Sequence, residues 1–178
     1  ILTAAGDDTI TINETILGHN VINLTLDTGA DTDSIAIADS ATVTGTMILT
    51  TTGSIADSGA GGTLSAASLK LDAGTGVGTS ADVIDTTVTT LAAQASTSGG
   101  VFITETDGLT IGTVDSLSGL TTANGAVTLV STNGDISVDE DIVAGDAGDD
   151  EEFDVIIQAE GTATGSSQID LNATVQAD

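Results

Sequence analysis

Carboxylates are the groups in this chain best supplied for chemistry, and they come almost without counter-charges. The sequence holds 27 Asp and Glu against one Lys, for a net charge of −26. The densest run is Asp149, Asp150, Glu151, Glu152 and Asp154. Its oxygens are of the kind that bind Ca²⁺, which takes six to eight of them. Asp27, Asp31 and Asp33 make a second, looser group. Neither run follows the EF-hand spacing, and the Gly-Gly-x-Gly-x-Asp calcium repeat is missing. Plain solvated charge is therefore the competing reading of both, and Ca²⁺ is the one cofactor in view. Paired carboxylates also perform acid–base work on glycosidic bonds. Sugar sites usually add aromatic platforms, and this chain has two Phe, no Trp and no Tyr. The expectation is that the protein is not an enzyme.

The remaining reactive side chains are isolated. His19 has no second His and no nucleophile beside it, and reads as a surface residue. Lys70 alternates between Leu69 and Leu71, so it should point out of a strand and serve as local counter-charge to the acids; an isopeptide bond is its alternative role. Asn13, Asn23 and Asn172 open three glycosylation sequons, which arise easily in a Thr-rich chain.

The same composition excludes whole classes of partner. Phosphate contacts need Lys and Arg, so nucleic acid is not expected. Docking to anionic lipid fails for the same reason. With no Cys, zinc–thiolate sites and disulfides are absent. No apolar run reaches the 18–20 residues that span a bilayer, so membrane insertion is not expected. The first residue is Ile1 rather than Met, which reads as a processed product or an excerpt, and leaves secretion open. Unscreened repulsion among so many acids suggests a salty or calcium-containing exterior, with a simple solubility device as the alternative.

Positioning these residues falls to strands. Alternation with period two is clear in Val21-Ile22-Asn23-Leu24-Thr25-Leu26 and in Ser167–Asn172. Gly punctuates the chain, and Asn124-Gly125 and Asn133-Gly134 signal tight turns with positive φ. With almost no aromatic bulk, the core must come from Ile, Val, Leu and Ala, as suits a narrow interior. Short strand, Gly corner and second short strand recur at 45–55, 100–111 and 125–136. Imperfect repetition of that kind is the signature of stacked turns. At about 20–25 residues per turn the chain makes roughly seven to nine of them. The expected fold is all-β: a right-handed parallel β-helix (β-solenoid), one domain over residues 1–178. An antiparallel β-sandwich fibre subunit is the alternative, favoured by the two Asn-Gly sites. An exposed excursion is expected over Asp139–Asp154.

Three stretches carry a resemblance: Gly74–Asp82, Val101–Gly112 and Val127–Ile136. They resemble the repeats of giant bacterial surface and secreted proteins of the filamentous-haemagglutinin-like type, over about residues 45–145. The resemblance implies a right-handed parallel β-helix, export to the cell surface, and a role in adhesion, matrix or fibre building. It implies no catalytic residues, and it allows a glycan or cell-surface ligand.

The resulting expectation is a structural repeat unit of an extracellular filament or surface adhesin. Its partners would be copies of itself or adjacent repeats. Neither end shows a polar cap, so Ile1, Leu2 and Thr3 at one end and Thr174 and Val175 at the other are the expected assembly ends. The alternative is a pilin-like or immunoglobulin-like sandwich polymerising by strand donation, with Ile1–Ile12 as the donated strand.

Overall fold

The computed structural model describes residues 6–13, 22–58, 61–146, 154–161 and 167–177. Among them there is no helix. The strands are β1 (Thr9–Ile12), β2 (Leu24–Asp27), β3 (Ser34–Ile37), β4 (Ala41–Thr42), β5 (Thr46–Thr51), β6 (Ile55–Asp57), β7 (Thr63–Ala73) and β8 (Ile84–Ala95). They continue with β9 (Val101–Glu105), β10 (Leu109–Ile111), β11 (Thr113–Val114), β12 (Leu117–Ser118), β13 (Leu120–Thr122) and β14 (Val127–Ser131). The last are β15 (Ile136–Val138), β16 (Ile142–Ala144), β17 (Val155–Ala159), β18 (Ile169–Leu171) and β19 (Val175–Ala177).

Pairing direction decides the fold. Every pairing between named strands is parallel except β11 with β12. The protein is a right-handed parallel β-helix, and the antiparallel sandwich is not its architecture. The donated-strand alternative falls with it: β1 already pairs in parallel with β3 of its own chain. The Asn-Gly sites make no hairpins. Neither Gly125 nor Gly134 has a positive φ. They are glycines because adjacent turns approach closely there: a Cβ on Gly125 would run into the Gly99 carbonyl, and one on Gly134 into the Gly108 backbone.

The interior is a set of columns in which each turn adds one side chain to the last. One column is Ile10, Ile35, Ile55, Val77, Val101, Val127 and Val155. Consecutive members lie 25, 20, 22, 24, 26 and 28 residues apart, so turn length varies while the column holds. On a second side the columns are Leu24, Met47, Leu69, Leu91, Ile111, Val138, Leu171 and Leu26, Leu49, Leu71, Ala93, Leu120, Ile142, Val175. Small aliphatics suit this space because each side chain meets only its column neighbours and the facing columns. Met47, Leu49, Leu69, Leu71, Leu91 and Ile111 are fully buried. Each such burial contributes roughly 1.5–3 kcal/mol.

Two departures from the expected layout are informative. The acidic stretch is not a simple excursion: Ile142–Ala144 within it is β16, with Ile142 and Ala144 fully buried in the columns, while residues 147–153 lie outside the described residues. Second, a hairpin interrupts the parallel stack between β10 and β13. β11 and β12 pair antiparallel around Asp115 and Ser116, whose φ values are 50° and 72°. The turn is built without glycine.

Candidate functional site: the terminal turn and the carboxylates that join turns

Many of the acids do structural work at the corners. Just before a strand, an acceptor side chain takes the backbone N–H of the equivalent residue one turn later. Asn23 Oδ1 accepts from Thr46 N at 2.8 Å and Ser40 Oγ from Thr63 N at 3.1 Å. Asp135 Oδ1 accepts from Gln168 N at 2.8 Å and Asp141 Oδ1 from Thr174 N at 2.9 Å. Asp7 Oδ1 likewise takes Thr32 N at 3.0 Å. A corner leaves backbone donors outside the strand ladder, and buried or half-buried donors must find acceptors. Carboxylates fill that need without any cation, which accounts physically for part of the charge imbalance.

This places the calcium candidates. Asp31 Oδ2 accepts from Gly6 N at 3.0 Å, Asp33 Oδ1 from Asp8 N at 2.7 Å, and Asp27 Oδ1 from Gly29 N at 2.9 Å. Their oxygens are thus engaged in joining and turning the chain. Asp154 is exposed immediately before β17, and its carbonyl accepts from Val127 N at 3.0 Å. Asp149, Asp150, Glu151 and Glu152 lie outside the described residues, as does His19. Among the described residues no group of three or more His, Cys, Asp or Glu is arranged to hold a metal.

Glu105 is the acid that sequence reading passes over. It is fully buried at the end of β9, where the chain leaves the ladder until β10 begins at Leu109, while β8 opposite runs on unbroken. Its carboxylate takes the place of the missing strand. Oε2 accepts from Thr86 Oγ1 at 2.7 Å, and both oxygens accept from Val88 N, at 3.1 and 3.2 Å. Oε1 also accepts from Thr106 N at 3.1 Å. Burial pushes its pKa up, against the opposing pull of these hydrogen bonds. The alternation of Val101, Ile103 and Glu105 is the signal that would have found it, since it puts the carboxylate on the buried face.

Lys70 points outward from β7, as expected, yet it is buried because the β11–β12 hairpin folds over it. Its Nζ donates to Asp115 Oδ2 at 3.3 Å and lies 3.6 Å from Asp72 Oδ2. The single Lys thus holds the hairpin against the sheet. A cleft of about 380 Å³ shares Asp115 with this clamp and is lined by Thr25, Thr46, Ile48, Ser68 and Thr113 among others. Of the sequon residues, Asn23 is the corner acceptor above, and Asn172 Nδ2 donates to Asp139 Oδ1 at 2.9 Å. That bond and one from Ser137 lower the Asp139 pKa.

The expected assembly ends come last. Ile1, Leu2 and Thr3 lie outside the described residues. Thr174 and Val175 sit in the terminal turn. Thr174 accepts from Ile142 N through its carbonyl at 2.8 Å, and Val175 heads β19 opposite Ile142. Here the columns end in the open: Ile169 is 40% exposed, Leu171 56% and Val175 37%. Their column neighbours Ile136, Val138 and Ile142 are at 0%. The last described turn therefore exposes its apolar column residues, and among the described residues β17, β18 and β19 each pair with one strand. No helix among the described residues is long and apolar enough to cross a membrane. No family model matches the chain, nor does any curated protein or solved structure.

Proposed function

We propose that the protein is a non-enzymatic structural unit of an extracellular filament or surface adhesin, extended by stacking turn upon turn at its ends. The observation that carries this reading is the exposed apolar face of the last described turn, formed by Ile169, Leu171 and Val175. Its column ends would be buried by one more turn of the same kind, and strand edges template further strands. The charge fits an exterior setting, because a rod with a net charge of −26 approaches another copy only where salt or divalent ions screen it. Calcium would act there as a screen or bridge among exposed acids. The hydroxyl-lined cleft beside the hairpin supports a glycan as lateral ligand. Electron microscopy and fibre diffraction of the protein in about 1 M salt, where the screening length is about 3 Å, test the proposal. The expected result is unbranched filaments with a spacing of about 4.8 Å along the axis. Monomers at every salt and protein concentration would overturn it.

A further inference from the structure

We infer that the cleft at the β11–β12 hairpin binds the end of a neutral glycan and rejects acidic sugars. This rests on the adhesin reading above and gives its lateral ligand a chemical class; stacking at the ends plays no part in it.

The hairpin is where the chain departs from its own repeat. It is the one antiparallel strand pair among the described residues, and it leaves the stack between β10 and β13. Insertions into a repeat array collect on one face, often the binding face. The tip is also marked in its backbone. Asp31, Asp115 and Ser116 are the described non-glycine residues with positive φ, and two of the three are adjacent at this tip. Such backbone persists where its surroundings over-determine it, and it clusters at ligand clamps. The buried Lys70 supplies that hold by donating to Asp115 Oδ2 at 3.3 Å.

One outward column shows where the hairpin's cover stops. Thr25, Ile48, Lys70 and Ala92 stand side by side on successive strands, pointing away from the core. The hairpin packs on β7 and β8, where Lys70 is 8% exposed and Ala92 0%. On β5 the next residue, Ile48, is half-buried, and Thr25 on β2 is exposed. Thr46 and Ser68 are neighbours in the adjoining outward column. These sheet residues line the cleft together with Thr113, Val114 and Asp115 of the hairpin. Its volume of about 380 Å³ is at the small end of ligand sites, which run about 300–1,000 Å³. That size suits a glycan's end rather than a long stretch of chain.

The lining matches a sugar group by group. At the corners, hydroxyls join the turns: Thr86 Oγ1 donates to Glu105 Oε2 at 2.7 Å, and Thr106 Oγ1 to the Thr86 carbonyl at 3.0 Å. The hydroxyls of Thr25, Thr46 and Ser68 have no such partner among the described residues. Each is both donor and acceptor, as sugar hydroxyls are. Ile48 presents aliphatic surface to the C–H face of a ring, the part that an aromatic platform takes in other sugar sites. Charge sets the specificity. Ionised Asp115 accepts and cannot donate. The only Lys of a chain without Arg is buried and engaged by Asp72 and Asp115. A uronic or sialic acid would therefore bring its carboxylate to another carboxylate, with no cation to receive it.

Methyl and amide NMR of the intact chain at low salt, where self-repulsion keeps copies apart, reads the site directly. The probes are cellobiose, lactose and N,N′-diacetylchitobiose, with digalacturonate as the acidic counterpart. So small a site binds with a Kd of about 1 mM. At least one neutral disaccharide should shift the Ile48 methyl and the Thr113–Asp115 amides, and digalacturonate should bind at least about ten-fold more weakly. Thr46→Val with Ser68→Ala should weaken the neutral sugar about ten-fold and leave urea unfolding unchanged. Asp115→Asn keeps an acceptor for Lys70 and takes positive φ readily; it should narrow the gap between neutral and acidic sugars. No response to any neutral disaccharide, an equal response to digalacturonate, or a response to an Arg-rich peptide alone would overturn the assignment. So would unchanged binding in the double variant. Filaments are scored separately, by microscopy in high salt, so each of these results leaves stacking standing, while sugar binding without filaments would overturn stacking alone.

Discussion

β15 and β18 are neighbours with nearly the same sequence and opposite fates. Ile136-Ser137-Val138 has both apolar residues fully buried, while in Ile169-Asp170-Leu171, paired to it residue for residue, they are 40% and 56% exposed. Alternation is equal in the two, so pattern alone does not set burial. In a solenoid each strand covers the one before it and is covered by the one after. β15 has both neighbours in β10 and β18; β18 has one. One-sided pairing leaves the apolar pair of β18 exposed, though not Leu26 of β2, which is buried with β5 as its one strand neighbour among the described residues.

The widest expected contrast comes from truncating the same column at its middle and at its end. Leu69→Ala removes a fully buried side chain and should cost about 2–5 kcal/mol in urea unfolding. Leu171→Ala should change unfolding of the isolated chain by no more than about 0.5 kcal/mol, while reducing filament formation. Equal losses of stability at the two sites would mean that the terminal turn is packed like the interior.

Next in size is Glu105, which mends a break inside the stack. Glu105→Ala strips the acceptor from Val88 N, Thr106 N and the Thr86 hydroxyl, at a cost of about 3 kcal/mol. Glu105→Gln keeps an acceptor and removes the charge. Because the folded pKa is raised, folding favours the protonated acid. The wild type's advantage is then fully present below the ordinary value of 4.5 and is lost as pH rises through the higher folded value. Measured against Glu105→Gln, wild-type stability should fall as pH rises above 4.5; a pH-independent difference would show that the carboxylate ionises there as freely as in water.

The hairpin clamp should matter less. Lys70→Met keeps the apolar stem and removes the charge between Asp72 and Asp115. Since Asp115 is half exposed, about 1 kcal/mol or less is expected, with faster amide exchange in β11 and β12 as the local sign. Unchanged exchange there would mean that Val114 packing alone holds the hairpin.

Smallest is a pH effect confined to the terminal turn. Asp139 has a lowered pKa through Asn172 and Ser137, so its contribution is present above 3.8 and lost as pH falls through the lower folded value. Amide exchange at Asn172–Val175 should accelerate in that acid window, and Asn172→Ala should flatten the response. If exchange in β15 accelerates equally, the whole stack is opening rather than its end.

Much of the fold was legible because a solenoid writes its interior one strand at a time. β18 falls within the alternating Ser167–Asn172, and the columns follow the Ile, Leu and Val of each short strand. What failed to show was whatever depends on the neighbouring turn. β7 runs over eleven residues, Thr63–Ala73, a length set by its pairing along β5 and β8. Gly125 resembles a hairpin glycine until Gly99 is seen against it. Asp115-Ser116 carries no glycine to announce its turn. Of the candidate residues, the outward aim of Lys70 was readable. The corner role of Asp135 and Asp141 was not, since the N–H each accepts lies 33 residues away.

The solitary lysine has a consequence outside the rod's own architecture. Proteases that cut after basic residues need an accessible Lys or Arg, and this sequence offers one. That one lies in mid-sheet between Ile48 and Ala92, buried beneath a hairpin and bound to two aspartates. Its peptide bond is hydrogen-bonded within strands on both sides, so trypsin-like enzymes find nothing to cut until the turns come apart. A chain that joins its turns with carboxylates instead of salt bridges thereby becomes resistant to a whole class of digestive enzymes.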